Sequence, residues 1–167
     1  MGCMRFALMI VFAALTVAAK RPITHEDVWT LKRVSSPAIS PDGKWAVVSV
    51  LEPAYDDTKN VSDLWLVDLT TARPARRLTN TKGGESGAEF SPDSKSLAFA
   101  AKREGDDESQ IYVLPLDGGE ATRITNLSTG ASSPKWRPDG KALLFQSMIY
   151  AGAVGDEANK KIVAERK

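Results

Sequence analysis

Ser40-Pro41-Asp42-Gly43-Lys44 returns as Ser91-Pro92-Asp93-Ser94-Lys95 and again as Arg137-Pro138-Asp139-Gly140-Lys141. An apolar residue precedes each copy (Ile39, Phe90, Trp136) and an apolar run follows it. Proline at the second position sets φ, aspartate tolerates the bridge conformation, and Gly43 or Gly140 supplies positive φ to close a hairpin. Ser94 stands where the other copies have glycine, which predicts strain or a different turn type there. Strand-turn-strand units recurring at roughly 46–51 residues point to a β-propeller. Three units are too few to close a ring, because four to eight blades at this period need roughly 180 residues or more.

More of the repeat emerges when the units are aligned. Asp63-Leu64-Trp65-Leu66-Val67-Asp68-Leu69 matches Gln110-Ile111-Tyr112-Val113-Leu114-Pro115-Leu116, and Arg77-Leu78-Thr79-Asn80 matches Arg123-Ile124-Thr125-Asn126. A full unit therefore predicts four short strands; in the second unit these fall near 88–90, 97–101, 111–114 and 121–124. Leu64 to Val67, Ile111 to Leu114 and Leu143-Leu144-Phe145 are apolar on both alternating faces, the pattern of strands buried on both sides. Blades stacked face to face around an axis meet that condition, so Trp45, Trp65, Tyr112 and Trp136 are expected to pack between blades. The expected fold is all-β: an incomplete propeller of about two and a half four-stranded blades. Blade 1 spans 34–80, blade 2 spans 81–126, and 127–167 is a partial blade 3 with a connection of weak helical character.

Before the repeat lie two further segments. Arg5, the apolar stretch from Phe6 to Val17 and the small residues Val17-Ala18-Ala19 read as a secretory signal peptide over 1–19, cleaved after Ala19. An uncleaved anchor is the alternative, but the apolar stretch is shorter than the roughly 20 residues that span a bilayer. Myristoylation of Gly2 is disfavoured by Phe6, where Ser or Thr is wanted. A lead-in over 20–33 contains Thr24-His25-Glu26-Asp27, a near capping box that starts a short helix with Val28, Trp29 and Leu31 as its apolar face. This face is expected to dock on something.

The bulk chemistry narrows function mainly by exclusion. The chain of 167 residues is 43% hydrophobic, with a formal charge of +1. It offers no basic stripe for nucleic acid, and no membrane partner is expected after signal cleavage. Cys3 is the only cysteine and falls in the leader, so a mature chain has no disulfide, thiol nucleophile or cysteine metal site. No catalytic, cofactor-binding or metal-binding residue is expected in this chain. Gly84-Glu85-Ser86-Gly87-Ala88 lacks the final glycine of a nucleophile elbow and is expected between strands rather than before a helix. His25, the sole histidine, is expected to be exposed or loosely packed. Repetition of Asp42, Asp93 and Asp139 in every unit favours a turn role over chemistry. Asp56-Asp57 and Asp106-Asp107-Glu108 are expected to be solvated in hairpin loops, with weak calcium binding as the alternative. Gly118-Gly119 reads as a hairpin turn rather than a phosphate loop. Asn60-Val61-Ser62 and Asn126-Leu127-Ser128 are glycosylation sequons, meaningful only in a eukaryotic host.

The succession apolar-Ser-Pro-Asp-Gly-Lys, an Ile-Tyr-Val-type strand and Arg-Ile-Thr resembles TolB-like propeller repeats. The lead-in Thr24 to Leu31, feeding Pro37 to Lys44, is similar to the start of bacterial prolyl oligopeptidase family members of the acylaminoacyl-peptidase and dipeptidyl-peptidase branch. That resemblance covers about Ile23 to Tyr150. It implies an N-terminal propeller joined in cis to an α/β-hydrolase domain carrying Ser, Asp and His, with the propeller admitting only short peptides. None of the triad maps onto this chain, so the implied peptide substrate, hydrolase domain and missing blades belong to a longer parent, periplasmic or secreted. A non-catalytic TolB-like periplasmic propeller that binds protein partners is the alternative.

Overall fold

Each Pro-Asp turn is built by the same hydrogen bonds. In a computed structural model that describes residues 21–54, 56 and 60–166, the first residue of each copy accepts through its C=O from the fourth residue's N–H: Ser40 from Gly43 (2.9 Å), Ser91 from Ser94 (2.9 Å), Arg137 from Gly140 (2.8 Å). The expected leader over 1–19 and Asp57 lie outside the described residues. The Ser40 hydroxyl accepts the Trp45 N–H at 2.9 Å and donates to Asp42 Oδ1 at 2.6 Å; Ser91 repeats both bonds with Ser96 and Asp93. Each aspartate then accepts the N–H of the lysine two residues on, at 3.0–3.1 Å. The third copy lacks the serine, and the Arg137 guanidinium bonds Asp139 instead, at 2.8 Å.

Ser94 adopts φ +61°, beside +69° at Gly43 and +70° at Gly140. The turn type is therefore the same in all three copies, and the second copy holds a side chain in the left-handed region at a cost of about 1–2 kcal/mol. A hydrogen bond offsets part of it: the Ser94 hydroxyl accepts the Asp42 N–H at 3.1 Å, tying the second turn to the first.

One such turn lies within each of three antiparallel sheets. Sheet 1 contains β1 (Arg33–Val34), β2 (Ala38–Ile39), β3 (Trp45–Glu52), β4 (Val61–Asp68) and β5 (Arg76–Arg77), with β1 and β2 both on β3 and β5 on β4. Sheet 2 runs β6 (Glu85–Phe90), β7 (Ser96–Ala101), β8 (Gln110–Pro115), β9 (Thr122–Arg123) in order. Sheet 3 pairs β10 (Ser132–Trp136) with β11 (Leu143–Gln146). The four strands expected in the second unit are these, with ends shifted by a few residues. Register repeats as well. Val48 faces Trp65 and Ala46 faces Val67 in sheet 1, as Phe99 faces Tyr112 and Leu97 faces Leu114 in sheet 2.

That shared register decides how the sheets stack. Alternation along β7 sends Leu97, Phe99 and Ala101 to one side and Ala98 and Ala100 to the other. On the first side, with Tyr112 and Leu114 of β8, they bury against Val47, Leu64 and Leu66 of sheet 1. On the second, Ala100 and Ile111 meet Ala131, with Leu127 and Leu143 packed alongside. Both faces of sheet 2 are thus covered, by sheet 1 and sheet 3. Tyr112 and the half-buried Trp45 take the expected inter-sheet positions. Trp65 lies on the opposite face of sheet 1 from Leu64 and Leu66. Trp136 lines a cleft between sheets 2 and 3.

Three expectations fail locally. Leu144 is 72% exposed and Phe145 is also exposed, so β11 is not buried on both faces; among the described residues no further sheet covers the side of β11 that carries Leu144. The apolar face of α1 (His25–Trp29) does not dock, since Val28, Trp29 and Leu31 are exposed. This helix is held by its cap: Thr24 Oγ1 accepts the Asp27 N–H at 3.3 Å, Asp27 Oδ2 accepts the Thr24 N–H at 2.8 Å, and Arg21 pairs with Asp27. The tail forms a well-defined helix, α2 (Asp156–Glu165). Its anchoring explains the miss, because it depends on distant partners: Asp156 Oδ1 accepts from the Ser128 N–H and hydroxyl, and buried Asn159 bonds the backbone of Met148 and Tyr150.

Removing the Ser94 hydroxyl and relieving its backbone strain have opposite effects. Ser94→Ala is expected to lower unfolding stability by about 1 kcal/mol, the value of the lost hydrogen bond. Ser94→Gly loses the same bond but gains conformational tolerance, and should lie within about 0.5 kcal/mol of the parent in denaturant titrations.

Candidate functional site

The threonine of each Arg-apolar-Thr-Asn run is buried at a seam between sheets. Thr79 Oγ1 accepts the Leu64 N–H at 2.9 Å and donates to Glu85 Oε2 at 2.8 Å. Thr125 Oγ1 likewise accepts the Ile111 N–H at 2.9 Å and donates to Gln110 Oε1 at 2.8 Å. The repeat explains the change of acceptor. Gln110 stands at the position of Asp63, and Ala131, which has no acceptor side chain, stands at the position of Glu85.

Seam 1 therefore holds two carboxylates where seam 2 holds none. Glu85, at the start of β6, is 1% exposed and accepts only hydroxyl bonds from its side-chain partners, Thr79 and Thr81 (2.7 Å). Burial pushes its carboxyl up, against the lowering effect of these hydroxyls; the nearby Asp63 raises it further and Arg103 partly compensates. Asp63 is equally buried, with one oxygen paired to Arg77 and the other, Oδ1, without a hydrogen-bond partner.

Asp106 corrects the expectation of a solvated acidic loop. Its side chain is 1% exposed: Oδ2 accepts the Tyr112 hydroxyl at 2.6 Å and the Arg103 N–H at 3.0 Å, and Oδ1 accepts Arg123 at 2.6 Å. Burial pushes this carboxyl up, but the Tyr112, Arg103 and Arg123 donors outweigh it and hold it below the usual carboxylate range. Tyr112 is pushed up to about 12 by burial and by the Asp106 carboxylate. The Arg103 guanidinium lies over the Tyr112 ring, 4.5 Å from its centroid. The repeated arginines thus find carboxylates from different places, Arg77 from its neighbouring strand and Arg123 from the loop between β7 and β8. Arg77 and Arg123 are visible as a repeat; nothing in the local sequence marks Asp106 as the partner of Arg123.

Other flagged residues are not brought together. Glu85 to Ala88 lies within β6 itself, not between strands, so Ser86 is on a strand edge rather than an elbow. His25 is exposed on α1, its ring centroid 6.3 Å from that of Trp29. Asp42, Asp93 and Asp139 are engaged in their turns, as described above. Gly118 and Gly119 adopt φ +129° and +104° between β8 and β9. Asn60 Oδ1 accepts the Ala54 N–H at 2.7 Å, and Ser128 of the second sequon is held by Asp156. Among the described residues no group of three or more His, Cys, Asp or Glu side chains could hold a metal ion. The seams can hold sheets together.

Residues 58–164 match the model of the Tricorn protease N-terminal beta propeller domain. The chain belongs to that family. It is 30% identical over 102 residues to "Uncharacterized peptidase YuxL" of Bacillus subtilis, covering 61% of this chain and 15% of that protein. It is 34% identical over 106 residues to Dipeptidyl-peptidase 5 of Porphyromonas gingivalis, covering 61% and 15%. The crystal structure of TolB from Acinetobacter baumannii aligns with a TM-score of 0.55 at 26% identity, over 70% of this chain and 27% of that one. The chain thus matches the N-terminal propeller of prolyl oligopeptidase family peptidases, and it spans about 15% of the length of the two curated relatives.

The Asp106 cluster yields a test by substitution. Asp106→Ala leaves Arg123 and the Tyr112 hydroxyl without their acceptor and should cost about 3 kcal/mol of unfolding stability. Tyr112→Phe should cost about half as much, and it should abolish a phenol ionisation near pH 12 in a spectrophotometric titration.

Proposed function

We propose that this chain is the N-terminal propeller portion of an exported prolyl oligopeptidase-like serine peptidase acting on short peptides. In this reading the three sheets are blades, over 34–80, 81–126 and 127–167. They restrict access to a serine nucleophile on an α/β-hydrolase domain outside this sequence. The observation that carries it is the match of the same repeats, at 30% and 34% identity, to two proteins named as peptidases. The exposed Leu144 and Phe145 and the cleft of about 570 Å³ beside them support further strands next to β11. Periplasmic or secreted placement rests on the leader-like residues 1–19.

A second reading, a non-catalytic TolB-like periplasmic propeller that binds protein partners, is favoured by the likeness to the Acinetobacter baumannii TolB. The reading frame downstream of Lys167 separates them. A G-x-S-x-G elbow some hundreds of codons on supports the peptidase, and a stop after a final blade supports the TolB-like protein.

Under either reading the isolated chain should not turn over a chromogenic dipeptide or acyl-amino-acid substrate. It should also be oligomeric or poorly soluble, because its outer strand edges and apolar faces are open. Turnover contradicts the first half of this prediction, and a strictly monomeric chain contradicts the second.

A further inference from the structure

The repeat isolates one anomaly. Seams 1 and 2 use the same threonine-to-strand bond, yet only seam 1 buries Glu85 and Asp63, where seam 2 has Ala131 and Gln110. Carboxylates at these two positions are therefore particular to seam 1; seam 2 has instead the Glu89–Lys135 ion pair between β6 and β10. The charge of Glu85 and Asp63 is also poorly compensated. Arg77 is engaged by Asp63 Oδ2, leaving Asp63 Oδ1 buried and unpartnered. Arg103, the cation nearest in effect to Glu85, has its guanidinium over the Tyr112 ring and its Nε buried without an acceptor. Among the described residues no cation forms an ion pair with Glu85.

We propose that the joint between sheets 1 and 2 is a proton-sensitive latch in which Glu85 takes up the proton and Asp63 makes its ionised form costly. The charged groups near Glu85 are Asp63 on β4 and Arg103 after β7, and the hydroxyls of Thr79 and Thr81 bond it. The proton comes from solvent and adds to Oε1. The half-buried Thr81 hydroxyl then turns from donor to acceptor, while Thr79 keeps its bonds to Leu64 and Oε2. Protonation removes the like-charge repulsion across the seam. The unfolded chain releases this proton near the ordinary glutamate value, and the folded chain releases it only above that value. Stabilisation of the seam is therefore full at low pH and is lost as pH rises through the folded value. Above the ordinary glutamate range the paired turn aspartates, held below their usual value, are already ionised and add no slope.

Amide hydrogen exchange on the 167-residue chain supplies the test, because the two seams report within one molecule. The Leu64 N–H reads seam 1 and the Ile111 N–H reads seam 2. After correction for intrinsic exchange, Leu64 protection should fall with rising pH above the ordinary glutamate value, by up to about tenfold per pH unit, while Ile111 protection stays level. Glu85→Gln should make the Leu64 profile level. Asp63→Asn should shift its break to lower pH, and it serves as the independent variant if Glu85→Gln fails to fold. Parallel profiles at Leu64 and Ile111 in the parent overturn the proposal. So does a Glu85→Gln chain that keeps the slope, or an Asp63→Asn chain whose break does not move.

Discussion

Burial of strands on both faces is the constraint on which this structure depends. A four-stranded sheet with apolar residues at successive positions cannot be satisfied by one neighbour. β7 and β8 carry Leu97, Phe99, Tyr112 and Leu114 toward one side and Ala98, Ala100 and Ile111 toward the other. Full burial of a large apolar side chain contributes about 1.5–3 kcal/mol, so the four large side chains of the first face together contribute an amount comparable to a small domain's net stability. Stacking sheets as repeats resolves this, and each Pro-Asp turn sets the register that puts the right residues on the right face. At the end of the stack, no described sheet covers Leu144, and it is exposed.

Polar groups fasten what the apolar faces bring together. Thr79 and Thr125 each close an edge by accepting a strand amide, and Arg77 and Arg123 each find a buried carboxylate. Identical positions in the repeat thus do identical work with different partners. This variation separates what the fold requires, a hydroxyl beneath the third strand, from what is particular to one seam, the acids Glu85 and Asp63.

The division between legible and illegible features follows sequence distance. The turns, the four strands of the second unit and the capping box of α1 are local patterns of a few residues, and each was readable. Asp106 looked like one acid among three in a loop; its burial depends on Arg123 and Tyr112, which lie on other strands. Glu85 looked like part of a failed elbow, because its partner Thr79 closes the preceding unit. The helix α2 rests on Ser128, far from it in sequence, and Gly155 gives it no side-chain cap. The docking expected of Val28 and Leu31 assumed that an apolar stripe implies a surface to receive it.

Sheets 1 and 2 stack through Leu64 and Leu66 on one side and Phe99 and Tyr112 on the other. A double-mutant cycle between Leu64→Ala and Phe99→Ala tests it most directly. Contact across the seam predicts a coupling energy of about 0.5–3 kcal/mol in equilibrium unfolding. Strict additivity of the two substitutions would contradict the stacking.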